Sequence, residues 1–243
     1  MYRFFVSEDQ WHTDFMVLTA ENAEHAKVLR LKLGEEVCVC DGCGNECLCS
    51  VSDISPGRYS LVVQSSGRSE REPSVSVRIY MAFPKADKLE HVIQKATELG
   101  ATQIITFPSA RCVSKPDDKS LIKKLDRWQK IAESAAKQCG RGLISKVSVL
   151  KSYKEAVEHA VRADLSVLFY ENEENLKFST VLNEMDYCSV SLMTGPEGGL
   201  EESEVLFAKS SGMRICTLGK RILRCETAPL CALSAVMFHS GEY

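Results

Sequence analysis

The stretch Val77–Phe107, VRIYMAFPKADKLEHVIQKATELGATQIITF, decides the fold class of this chain. Its two ends, Val77–Phe83 and Gln103–Phe107, are short apolar runs rich in β-branched and aromatic residues, the composition of buried strands. Between them, Leu89, Val92, Ile93, Ala96 and Leu99 recur at helical spacing. Asp87 and Glu90 have the spacing of a capping box, and Gly100 stands where a helix C-terminus needs one. A strand, a helix and a second strand joined by short links form the repeating unit of a parallel sheet, because parallel neighbours need a crossover between them.

Moving toward the C-terminus, the alternation continues. Leu121–Ala136 carries a helical stripe of Leu121, Leu125, Trp128, Ile131, Ala132 and Ala135. Val147–Leu150, Leu165–Tyr170, Val190–Met193 and Arg214–Leu218 read as strands, with helices over about 154–163 and over Glu201–Ser210. The last helix, about Pro229–His239, is apolar nearly all round and is expected to be buried. Toward the N-terminus the texture differs: the first seventy residues read as strands and turns. Val37–Cys40 and Glu46–Val51 flank a Gly/Asn-rich connection and predict a hairpin; Leu61–Val63 predicts a further short strand. Ser65–Ser74 is polar and rich in breakers, which puts a linker there and divides the chain into domains 1–72 and 73–243.

Composition sets limits on function. The 243 residues are 44% hydrophobic and 26% charged, ordinary for a globular protein and unlike a disordered or fibrous one. No apolar run reaches the roughly 18 residues of a membrane span, and Met1–Asp9 lacks a secretory apolar stretch, so a cytoplasmic protein without membrane contact is expected. Net charge is −3, but residues 111–146 hold ten Lys/Arg against four Asp/Glu, and 171–204 one Lys against nine acids. A local basic face can hold a phosphate backbone even when the total is negative.

Eleven cysteines with no export signal point to reduced thiols. Cys38, Cys40, Cys43, Cys47 and Cys49 are numerous enough for zinc, but the i, i+2 pairs lie along strands rather than in C-x2–4-C knuckles. Packing in the hairpin is the better reading, and no metal is expected. The five histidines are scattered; Gly42–Cys47 and Gly212–Arg221 fail the dinucleotide and P-loop patterns. Two segments remain, Thr194-Gly195-Pro196-Glu197-Gly198-Gly199-Leu200 and Leu218-Gly219-Lys220-Arg221-Ile222-Leu223-Arg224-Cys225-Glu226-Thr227-Ala228-Pro229. Each follows a predicted strand, where open α/β sheets bind ligands, and their glycines let backbone approach a ligand closely.

These two loops resemble those of the RsmE family, the ribosomal RNA uracil-N3 methyltransferases of the SPOUT superfamily. Arg3-Phe4-Phe5, His25–Leu31, Phe83–Glu90, Ile93–Gly100 and Glu133–Arg141 resemble further family signatures, in the same order along most of the chain. The resemblance implies an α/β fold: a C-terminal SPOUT-type parallel sheet with a deep trefoil knot, and an N-terminal PUA-like β-barrel that helps hold RNA. It implies S-adenosyl-L-methionine as cofactor, bound by Leu168, Thr194, Gly195, Pro196, Glu197, Gly198, Leu218, Gly219, Ile222, Leu223, Arg224 and Thr227. It implies a homodimer whose substrate is a uridine of 16S ribosomal RNA in the decoding region of the small ribosomal subunit, methylated at N3.

Within that picture, the adenine edge calls for backbone groups such as those of Leu218, Gly219, Ile222 and Leu223. Arg224 is the candidate cation beside the uracil anion, and Glu197 the candidate proton acceptor. Arg3, Arg30, Lys85, Arg111 and Arg141 are the candidate RNA contacts. Cys225 stands where the family pattern has Thr, which argues against a cysteine nucleophile. The rivals are a methyltransferase for another RNA position, a non-catalytic RNA-binding protein and a zinc-dependent regulator.

Overall fold

The computed structural model describes residues 1–113 and 117–243. They form two compact units, one of residues 1–72 and 136–144 and one of residues 73–135 and 145–243. The segment 136–144, beyond the expected boundary at 72/73, is thus counted with the first unit.

The first unit contains β1 (Tyr2–Phe5), β2 (Phe15–Leu18), α1 (Ala20–Val28), β3 (Glu36–Cys40), β4 (Asn45–Ser55) and β5 (Arg58–Arg68). Its sheet runs β1-β3-β4-β5-β2, with β1 parallel to β3 and the other pairs antiparallel. Register shifts in β4 at Leu48/Cys49 and Val51/Asp53 break the ladder, the kind of irregularity that bends and twists a strand. Phe4, Met16, Leu18, Val37, Val39, Cys47, Cys49 and Leu61 form its core. The predicted hairpin is β3–β4, but β5 extends to Arg68, so the segment read as linker from Ser65 pairs with β4 instead. The reading of strands and turns also misses α1, which buries only Ala23 and Ala26 and carries no apolar stripe.

The second unit contains β6 (Ser76–Ala82), α2 (Lys88–Glu98), β7 (Gln103–Phe107), α3 (Asp118–Cys139, whose end belongs to the first unit), β8 (Lys146–Val149), α4 (Tyr153–Ala160), β9 (Leu165–Phe169), α5 (Phe178–Leu182), β10 (Ser189–Thr194), α6 (Glu202–Ser210), β11 (Arg214–Cys216) and α7 (Thr227–His239). Its six strands are all parallel, in the order β11-β9-β10-β6-β7-β8. Both faces are covered, so β6, β9 and β10 are apolar almost throughout; Val77, Ile79, Tyr80, Val167, Leu168 and Leu192 are fully buried.

Two local readings change. Asp87 makes no side-chain cap, and Glu90 pairs with Arg127 at 2.7 Å instead. α7 buries Pro229, Ala232, Leu233, Val236 and Met237 but leaves Phe238 73% exposed, so it is covered on one face only. Among the described residues, no helix is long and apolar enough to cross a membrane.

Candidate active site

Parallel strands bring their carboxyl ends to one edge, so the loops that follow neighbouring strands meet there. β11, β9 and β10 are neighbours, and the segments after them, Phe169–Glu171, Thr194–Gly199 and Thr217–Cys225, line one cavity of about 560 Å³. Cofactor pockets commonly measure ~300–1,000 Å³.

The loop after β10 is tied down at several points. Glu197 Oε1 accepts the Lys85 backbone N–H at 2.9 Å and lies 3.0 Å from Lys88 Nζ. Arg111 donates to the Gly198 carbonyl at 3.1 Å, and the Gly199 N–H donates to the Pro196 carbonyl at 3.0 Å. Gly199 has φ +68°, and a Cβ there would stand 2.1 Å from Glu171 Oε1. Only glycine combines that backbone with that proximity. Beneath the loop, Thr194 is 3% exposed and its hydroxyl has no partner among the described residues.

The loop after β11 is different. The Thr217 hydroxyl shares two 3.2 Å hydrogen bonds with Gly219, accepting its N–H and donating to its carbonyl. Beyond that, the backbone groups of Leu218, Ile222 and Leu223 have no partner among the described residues. Ile222 is 83% exposed at the cavity, and Arg224 is exposed and makes no ion pair among the described residues. The loop is anchored at its far end, where Lys88 lies 3.2 Å from Glu226 and donates to Cys225 Sγ at 3.7 Å.

Lys88 therefore bridges both loops from the start of α2. Its ammonium is held above the usual lysine range, first by the hydrogen bond to Glu197. Burial alone would push the Glu197 carboxyl up, but the hydrogen bonds from Lys85 and Lys88 outweigh it and bring it to about 2. A carboxylate so stabilised takes a proton poorly, so Glu197 suits a structural tie better than the proton-acceptor role. Burial, followed by the hydrogen bond to Glu226, pushes the Cys225 thiol up to about 12, so it is protonated at neutral pH and a poor nucleophile.

Of the expected cofactor residues, Thr194, Gly195, Pro196, Glu197, Gly198, Leu218, Gly219, Ile222, Leu223 and Arg224 all line the cavity. Leu168 does not: it is fully buried in β9, one residue before the first lining position. Thr227 opens α7, with its N–H bonded to the Arg224 carbonyl, and also lies outside the lining. Phe169, Tyr170, Glu171, Thr217, Cys225 and Lys88 line it without having been expected. The first three end a strand that the sequence did reveal, so the rule about carboxyl ends applied to them as well.

The expected RNA contacts divide. Arg30 and Lys85 are exposed. Arg111 is exposed but spends one guanidinium nitrogen on Gly198. Arg3 is paired with Glu46 at 2.7 Å, its side chain only 9% exposed. Arg141 is 3% exposed, and its Nε and Nη2 donate to Glu72 at 3.0 and 2.7 Å inside the first unit. That corrects the RNA-facing reading of Arg141: its charge is consumed in holding Glu72. Exposed basic residues of the same stretch include Lys119, Lys123, Lys124, Arg127 and Lys130 on α3.

Known families match the chain in two places. Residues 70–237 match the RNA methyltransferase domain, and residues 18–64 match the RNA methyltransferase PUA domain. Ribosomal RNA small subunit methyltransferase E of Bacillus subtilis is 38% identical over 229 residues, spanning 92% of this chain and 90% of that one. The protein of the same name from Mesomycoplasma hyopneumoniae is 33% identical over 234 residues, 96% of this chain and 98% of its own. A crystal structure of a ribosomal RNA small subunit methyltransferase E from Neisseria gonorrhoeae bound to S-adenosyl methionine aligns with a TM-score of 0.85. It is 28% identical and covers 98% of this chain and 97% of that one.

Proposed function

We infer, for a chain that belongs to the ribosomal RNA small subunit methyltransferase E family, that it methylates N3 of one uridine in 16S ribosomal RNA, in the decoding region, using S-adenosyl-L-methionine. The observation that carries this reading is the unpaired backbone of Leu218, Ile222 and Leu223 facing a cavity of about 560 Å³. Backbone N–H and C=O groups that no protein group engages are free to pair with a ligand, and an adenine edge offers the matching acceptors and donors. The unpartnered Thr194 hydroxyl adds a polar handle at the cavity wall. The residues present fit the cofactor.

When bound, S-adenosyl-L-methionine supplies an electrophilic methyl group together with its own leaving group. The chain's part is alignment and charge. The tied loop Thr194–Gly199 forms one fixed wall, which limits the positions a bound ligand can take. The uracil imide must lose its N3 proton, and the exposed Arg224 guanidinium stabilises the anion that results. Glu197 holds Lys88, and through it the Cys225–Glu226 end of the second loop. Arg30, Lys85 and the exposed lysines of α3 supply cations for the RNA backbone.

The finer architecture belongs to the same reading. We propose that the last segment of the second unit threads into a trefoil knot, and that the first unit's sheet is completed as a PUA-like barrel. The chain acts as a cytoplasmic homodimer, and burial of the exposed Ile222 against a second copy is consistent with that.

The test is transfer of tritiated methyl from S-adenosyl-L-methionine to undermethylated small subunits and, separately, to the same RNA stripped of protein. Label in a single N3-methyluridine is expected. Label at a different nucleotide, or cofactor binding with no transfer to either form of RNA, would keep a methyltransferase and replace the substrate; neither label nor cofactor binding would point to a non-catalytic RNA-binding protein.

A further inference from the structure

Arg3, Cys38, Cys40 and Glu46 share one face of the first unit's sheet because of its register. β1 sets Arg3 opposite Cys38, and β4 sets Glu46 opposite Cys40. With a side-chain period of two, these residues point away from Cys47 and Cys49, which pack with Val37 and Val39 in the main core. Cys38 Sγ lies 3.7 Å from Cys40 Sγ and 3.8 Å from Glu46 Oε2. The three ligand atoms are all within 4.8 Å of one another. Arg3 Nη1 donates to both Cys40 Sγ and Glu46 Oε2, each at 2.7 Å.

We propose that Cys38, Cys40 and Glu46 form a binding site for a thiophilic divalent cation, zinc foremost, with water as the fourth ligand. Zn–S bonds of ~2.3 Å and Zn–O bonds of ~2.0 Å at tetrahedral angles separate neighbouring ligand atoms by roughly 3.5–3.8 Å. The two spacings from Cys38 are already close to that. A disulfide fits less well. Residues i and i+2 of a strand are roughly 6.6 Å apart with parallel side chains, whereas a disulfide brings the two Cβ atoms to ~3.5–4.5 Å. Closing one here would buckle β3; a metal spans the spacing as it stands.

Packing alone does not account for the cluster either, since an apolar quartet would fill the space without desolvating a carboxylate and a guanidinium. Charge balances in both states. Without metal, Arg3 offsets Glu46. With metal, two S–H bonds break, their protons pass to the buffer and two metal–sulfur bonds form, with no change of oxidation state. Two thiolates and Glu46 then face the dication and Arg3, and Arg3 remains a donor to the ligand atoms from outside the metal. Arg3, Cys38 and Glu46 also line an open cavity within the first unit, which provides entry and the fourth ligand.

The experiment uses the full chain, purified in reductant, stripped with a chelator and titrated with Co²⁺. One Co²⁺ per chain is expected, with thiolate-to-cobalt charge-transfer absorption and tetrahedral d–d bands that Zn²⁺ abolishes by displacement. Cys38→Ser and Glu46→Gln should each weaken uptake at least ~10-fold, while Cys231→Ser on α7 leaves it unchanged. Circular dichroism identifies variants that are folded. Should the Cys38 variant fail to fold, the melting temperature of the unaltered chain decides, rising with Zn²⁺ but not with Mg²⁺. Absence of the charge-transfer band, or undiminished uptake by folded Cys38→Ser, overturns the site. So does a chain that takes up no cobalt in reductant yet forms a Cys38–Cys40 disulfide under peroxide, which would make the pair a redox device.

Discussion

The two loops that build the cavity follow strands of the same sheet, yet they are constructed in opposite ways. Thr194–Gly199 is held by Lys85, Lys88 and Arg111 and by its own Gly199–Pro196 turn. Among the described residues, Leu218–Leu223 is bonded only through Thr217 and Gly219, and it exposes Ile222. The contrast separates two tasks. In the proposed function, a fixed wall sets where the cofactor lies, and the open backbone of the other loop pairs with the cofactor. Such a site is half preformed, and its unformed half is where binding is read out.

The largest expected effect falls on the open loop. Arg224→Ala should lower turnover by ~100–1,000-fold, the usual cost of removing one charge-stabilising donor. Cofactor affinity, measured by calorimetry, should stay within about twofold, because alanine keeps the backbone that lines the cavity and removes only the guanidinium proposed for the uracil. Normal turnover would remove it from the mechanism.

A pair of glycine substitutions sharpens the contrast. Gly199 and Gly219 both have positive φ, +68° and +118°, so alanine at either carries backbone strain of ~1–2 kcal/mol. Only at Gly199 would the new Cβ also collide with Glu171, while at Gly219 nothing lies within 4 Å. The Glu171 carboxylate is the free end of an exposed side chain and can swing aside at little cost. Both variants should therefore melt ~2–8 °C below the unaltered chain from backbone strain, and a Gly199→Ala that melts far below Gly219→Ala would show that Glu171 is held in place.

How much of this was legible in the sequence depends on whether a feature is local. The helix and strands of Val77–Phe107 were legible because their periodicity is set by burial on both sides of one sheet. α1 was not, since two buried alanines make no stripe. The two loops were legible as glycine-rich turns after strands. Lys88 was not, because it reaches the cavity from the start of α2 through the sheet order β11-β9-β10-β6, which no local pattern encodes. Arg141 misled for the same reason: it sits in a basic run, but its partner Glu72 is 69 positions away.

Acid provides a smaller test of the fixed wall. The Glu197 carboxyl lies at about 2 against an ordinary 4.5, so its ties stabilise the folded chain fully above 4.5 and are lost as pH falls toward 2. Glu197→Gln should therefore melt below the unaltered chain at neutral pH, and the gap should close on acidification through that window. A gap independent of pH would assign the effect to something other than charge. Smaller still, Cys225, buried with its thiol at about 12, should alkylate at pH 8 at least ~10-fold more slowly than the exposed Cys231. Comparable rates would show that the far end of the second loop opens freely.

The most direct test of the half-preformed cavity is amide hydrogen exchange with and without S-adenosyl-L-methionine. The amides of Leu218, Ile222 and Leu223 should exchange fast in the free chain and become strongly protected on binding. Those of Gly199, bonded to the Pro196 carbonyl, and Lys85, bonded to Glu197, should be slow in both states. Protection that rises equally in both loops, or that leaves Leu218–Leu223 unchanged at saturating cofactor, would contradict the account.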